Sequence, residues 1–178
     1  KGRVDGEMLS RAILHSVERA RGAHALLESE RKSRSVIEQS VDGIVLIDED
    51  GIIIEWNQAQ EQISGMARAE VVGRPIWDVQ FQLALNEKKT PATYASLKAM
   101  LQAFLSSGQP AWPGEIPQQE IQRPDGERRI VQTSAYAIKT HKGFMASSIV
   151  RDVTIQVRAQ RALEEAYLFS QYTLDALS

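Results

Sequence analysis

Three histidines are the first residues to weigh for chemistry, and they lie far apart: His15, His24 and His141. A metal site needs further histidines or carboxylates at ligand spacing beside them. The surrounding sequence supplies none, so surface or helix-seam positions are expected and no metal. A kinase phosphoacceptor histidine is followed closely by a Glu-Leu-Arg-type stretch and a proline, and neither His15-Ser16-Val17 nor His24-Ala25-Leu26 is. Asp48, Glu49 and Asp50 form an acidic cluster, but they run into Gly51 and read as a solvated turn rather than a proton-transfer group. With 0 cysteines there is no thiolate nucleophile, disulfide or thiolate metal site. Glycine-rich phosphate loops and Ser/His/Asp arrangements are lacking too. The expectation is a chain without catalytic residues of its own.

Composition narrows the partners. In 178 residues, 21 basic and 23 acidic side chains leave a formal charge of -2, which offers no electrostatic footprint for nucleic acid or an anionic membrane. No run approaches the ~20 apolar residues that span a bilayer, and the N-terminus has no signal-peptide core. A cytoplasmic chain without direct membrane contact is expected.

The elements that must position any site follow from periodicity. Residues 6 to 38 read as one long helix capped by Asp5, with Leu9, Ile13, Val17, Ala20, His24 and Leu27 forming a narrow seam that needs a partner. Residues 43 to 56 are two apolar runs around Asp48-Glu49-Asp50-Gly51, a β-hairpin whose first strand is apolar on both faces and therefore expects cover on each. Asn57 caps a short helix over 58 to 64, with Gln60 placed to reach back in a capping box and Gly65 as the left-handed stop. A second short helix ends near Gly73, and Thr90-Pro91 opens a third that closes at Gly108. Strands then end at Ile121 and run over 128 to 139 and 143 to 151, separated by Pro124-Asp125-Gly126 and Thr140-His141-Lys142-Gly143 turns. After Asp152-Val153-Thr154 a helix begins, with Ile155, Ala159, Ala162, Ala166, Phe169 and Thr173 at steps of four and three.

This order resembles the PAS fold over Val36 to Thr154. The resemblance rests on the Asp-Glu-Asp-Gly hairpin, Asn57 followed by Ala59, Gly73, the Pro-Asp-Gly turn, and Arg151-Asp152-Val153-Thr154 at the exit. It implies an α+β domain at 36–154, with a five-stranded antiparallel sheet, helices on one face, and linker helices at both ends. Residues 1 to 21 resemble the end of a response-regulator receiver domain, with Lys1 at the place of that family's lysine. Residues 1–35 are then a receiver remnant and signalling helix. Residues 155–178 are a linker helix leading toward a next domain, whose start Tyr172 to Ser178 resembles. The implied function is a sensory and relay module of a sensor histidine kinase or hybrid, homodimeric through its helical linkers, with receiver and kinase or sensor domains as neighbours.

The resemblance also bears on cofactors. Light-sensing PAS domains place a reactive cysteine where this chain has Ile76, so covalent flavin is not expected. Asparagines that would bond a flavin ring are missing at Ile121 and Val131. Haem-binding relatives use a histidine before the meander, and residues 81 to 108 contain none. By the same resemblance Val45, Ile47, Ile121, Val131 and Thr133 face the helices, as do Ala135, Ala146, Ser148 and Val150. Ile63, Ile76, Val79, Leu97 and Leu101 stand opposite. Two readings stay open. The small residues leave room for a small apolar ligand oriented by Thr133 and Ser148, or Trp77 and Phe104 fill the space as core, the latter being favoured. At the exit, Asp152 and Thr154 are expected to cap the output helix, with Asp152 also pairing Arg31 or Arg34 as a relay between entering and leaving helices.

Overall fold

A computed structural model of the chain describes residues 28–29, 31–109 and 118–175, with side chains to Tyr167 and at Phe169. The receiver resemblance and the seam from Leu9 to Leu27 lie outside the described residues, as do residues 176–178. The chain divides into two compact units, 1–39 and 40–178. In the first, residues 31–38 form helix α1, inside the helix expected over 6 to 38. Its Lys32 pairs with Glu28 at 2.7 Å, an exposed i,i+4 contact worth about 0.3–0.5 kcal/mol.

The second unit begins with β1 (Gly43–Ile47) and β2 (Ile53–Trp56). Asp48 Oδ1 accepts from the amides of Asp50 and Ile52 at 3.0 and 2.8 Å, so the acidic cluster is a turn former. Gly51 has φ of 79°, and a Cβ there would sit 2.5 Å from the Trp77 ring, so the turn requires glycine twice over. Helices α2 (Gln58–Ser64), α3 (Arg68–Val71), α4 (Ile76–Leu83) and α5 (Pro91–Ser107) follow, with a 3₁₀ turn at Asn86–Lys88. The caps on α2 and α5 are those expected: Asn57 accepts from Gln60 N, Thr90 from Thr93 N, and both helices stop at left-handed glycines, Gly65 and Gly108.

Two local expectations are corrected. Helix α4 was not among the three helices read from periodicity. Its eight residues bury Ile76, Trp77, Val79 and Leu83, a face too short for a 3.6-residue period to stand out. The capping box on α2 is half formed, because the Gln60 side chain does not return to Asn57. It folds inward over Gly43, where a Cβ would meet Gln60 Oε1.

Strands β3 (Gln118–Gln122), β4 (Arg128–Lys139) and β5 (Phe144–Asp152) form the meander, and helix α6 (Thr154–Asp175) leaves from the end of β5. The sheet order is β2-β1-β5-β4-β3, every pair antiparallel, so β5 is the middle strand. Register places Val45, Ser148 and Ala135 in one row across the inner face, Ile47, Ala146 and Ala137 in the next, and Val150 beside Thr133. Val131 pairs Gln119, putting both on that face with Ile121. The core lies between this face and the helices, centred on Ile53, Trp56, Val71, Val79 and Val131. Of the cover expected on both faces of β1, this unit supplies one: Ile44 and Leu46 are half-buried, while Tyr136, Ile138 and Ile149 on the outer face are exposed.

Candidate functional site

Helices α4 and α5 are latched to each other at the edge of the inner face. Tyr94 Oη donates to Asp78 Oδ1 at 2.6 Å, Phe81 meets the Tyr94 ring edge-on at 5.3 Å, and Lys98 Nζ lies 5.3 Å from the Trp77 ring. Beneath them a cavity of about 220 Å³ opens over the small residues of the sheet. Its floor is Val45, Ile47, Thr133, Ala135, Ala146 and Ser148, and its roof is Ile76, Leu97, Met100, Leu101 and Phe104. An adjoining space of about 370 Å³ runs toward β3 past Gln60, Leu83, Leu85 and Ile121, with Val131 and Val150 beneath. The two share Val45, Ile76, Gln80, Leu97, Gln119, Thr133 and Ser148.

Of the residues the resemblance offered, Ile63 and Val79 lie in the packed core and line neither space. The others line one or both. Trp77 is turned away against Gly51, so only Phe104 of the two expected fillers reaches the cavity. Three glutamines went unnoticed as site residues. Strand alternation from Ile121 puts Gln119 inward, and Gln80 stands one helical turn beyond Ile76, so both could have been read from spacing. Gln60 carried no such signal, since it depends on the bare backbone of Gly43 across the fold. Among the described residues no group of three or more His, Cys, Asp or Glu could hold a metal ion, and no helix is long and apolar enough to cross a membrane.

The exit of β5 is the second feature. Asp152 Oδ1 accepts from Thr154 N at 2.9 Å and Oδ2 from Arg129 Nη1 at 2.7 Å; the Thr154 hydroxyl also bonds Oδ1. Thr154 Oγ1 in turn accepts from Ile130 N at 2.9 Å, and Val153 N donates to Ile130 O at 2.9 Å. Asp152 thus accepts from the first amide of α6, and within this unit the arginine it holds is Arg129 of β4. Register explains the choice: Asp152 pairs Val131, and Arg129 is two residues along on the same face. The adjacent Arg151 grips Asp42 through two contacts of 3.0 and 2.7 Å, tying the residue before β1 to the end of β5. Burial works against ionisation of Asp152, but hydrogen bonds from Thr154 and Arg129 outweigh it and hold the carboxyl below the usual 3.8. The Arg151 hydrogen bond does the same for Asp42.

Residues 41–154 match the protein family described as PAS domain. The chain is 28% identical over 158 residues to an uncharacterized protein from Azorhizobium caulinodans, covering 86% of this chain and 20% of that one. It thus spans about one fifth of the length of the curated relative it matches. Two solved structures share the fold. One is the PAS domain of an HTR-like protein from Haloarcula marismortui, with TM-score 0.54, 24% identity, and 75% of this chain and 98% of that one covered. The other is a domain of the sensory box sensor histidine kinase/response regulator from Geobacter sulfurreducens, with TM-score 0.50, 24% identity and coverage of 71% and 96%.

Because Asp42 and Asp152 are more acidic folded than unfolded, the unfolded chain binds more protons at low pH. Their contribution is complete well above 3.8 and is lost as the pH falls below that value. Urea unfolding followed from pH 6 to pH 3 is expected to show stability falling at the acid end, with a shallower fall in Asp152→Asn. An unchanged slope in that variant contradicts the assignment.

Proposed function

We propose that this chain, which belongs to the PAS domain family, is the sensory and signal-relay module of a multidomain sensor histidine kinase or hybrid protein. Within that reading it performs no chemistry itself, works in the cytoplasm, and converts occupancy of the cavity into movement of the helix leaving β5. The observation that carries the reading is that one strand serves both ends. Ala146, Ser148 and Val150 of β5 line the cavity system, and Asp152 of the same strand caps α6. With about 220 Å³ lined mainly by apolar side chains, the cavity has room for a small apolar molecule. The histidine kinase/response regulator that contains the Geobacter domain supports the signalling context.

Exposed side chains on α6 favour a second element, a homodimer through the helical linkers. Ile155 and Phe169 are 84% and 75% exposed, and Leu163 and Tyr167 are 66% and 64% exposed. A seam of this kind gains little as a single helix. The alternative function, a ligand-free dimerisation and relay domain, needs this element and not the cavity.

Asp152→Ala in the full-length parent separates relay from simple capping. The expected loss is about 2 kcal/mol, or a melting point lower by roughly 4–8 °C, in a protein that still folds but whose output no longer follows its stimulus. Normal stimulus-dependent output in that variant would make Asp152 a cap only. For the dimer, light scattering at about tens of micromolar is expected to give twice the monomer mass for the chain and less for a version that ends at Arg158 and so lacks most of α6. Two monomers would contradict it.

A further inference from the structure

We infer that the 3₁₀ turn joining α4 to α5 is braced against α6 across the β3–β4 hairpin, which gives the roof of the cavity a second connection to α6 that does not run through β5. The signalling meaning of this brace rests on the relay reading and adds a route to it.

The contacts converge on one cross-strand pair. Gln122 of β3 and Arg128 of β4 face each other in the register. Gln122 Oε1 accepts from Asn86 N at 3.1 Å, and Arg128 Nη2 donates to both carboxylate oxygens of Glu87, at 3.1 and 3.2 Å. Two adjacent residues of the 3₁₀ turn are thus held by a single pair. An exposed ion pair holds little alone, but here a hydrogen bond beside it fixes the same turn. The residue before Asn86 is Leu85, which is 4% exposed and lines the space adjoining the cavity. The turn therefore follows that wall.

The other end of the brace is on α6. Arg158 Nη2 donates to Arg128 O at 3.0 Å, and Thr154 Oγ1, one turn earlier, accepts from Ile130 N at 2.9 Å. Spacing makes these contacts compatible. Four residues of helix rise about 6 Å and two residues of strand about 6.8 Å, so the first turn of α6 lies along β4 and meets it twice. Arg128 holds Glu87 with its side chain and Arg158 with its carbonyl, so a shift of the turn passes to α6 through one residue.

The test is hydrogen exchange of the full chain in Glu87→Lys, Arg158→Gln and the double variant. Both side chains are exposed, so the fold is expected to be kept. Should Glu87→Lys melt early, Glu87→Ala, which only removes the ion pair, takes its place. Glu87→Lys sets like charges against each other and is expected to speed exchange of residues 155–160 about threefold, the scale of one exposed pair. Arg158→Gln is expected to do the same. The double variant is expected to exchange no faster than either single one, because the two contacts are links in series. Independent sites would instead multiply to about ninefold. That result, or unchanged exchange of 155–160 in the Glu87 variant, overturns the brace. Each variant leaves β5 and Asp152 untouched, so such a failure removes the second connection alone, whereas the relay reading itself fails on normal output in Asp152→Ala.

Discussion

A single buried amide, the side chain of Asn57, holds together the pieces on which everything else is set. Its Oδ1 accepts from Ile44 N at 2.8 Å and from Gln60 N at 3.0 Å, and its Nδ2 donates to Asp42 O at 3.1 Å. The start of β1 and the first turn of α2 are thereby one unit. With that amide fully buried, no water replaces these bonds, and each is worth far more made than broken. Asp42, whose carbonyl Asn57 holds, uses its carboxylate to grip Arg151. The next residue is Asp152. A continuous set of polar contacts thus runs from the helices, through the beginning of the domain, to the root of α6.

The cavity and the exit share this frame. Small residues on β4 and β5 leave space where larger ones would have packed, and the Tyr94–Asp78 latch makes α4 and α5 a common roof over it. In the proposed reading, an occupant that lifts or draws in the roof pushes on β5, whose far end has little freedom. Val153 is 2% exposed, Thr154 is bonded to Ile130, and no glycine separates strand from helix. In the proposed reading, displacement of the strand becomes displacement of the helix because the joint cannot absorb it.

Local chemistry made much of this legible in the sequence. Turn residues, caps and alternation located the hairpin, the meander and the helix stops, because each is decided within a few residues. The inner-face residues followed once strand alternation and the family resemblance were combined. What escaped depended on distant pairings. Helix α4 exists because its short apolar face meets the sheet. Gln60 turns inward because Gly43 leaves room, and Asp152 chooses Arg129 because antiparallel register sets them diagonally. No window along the chain contains those pairings.

The central claim is that the state of the cavity reaches the root of α6 through β5. Hydrogen exchange of the chain and of Ala146→Leu, compared peptide by peptide, tests it without knowledge of any ligand. Filling the cavity is expected to change protection in β5 and in residues 153–158, beyond the cavity walls. A change confined to α4, α5 and the floor strands near Ala146, with 153–158 exchanging as before, would contradict the account.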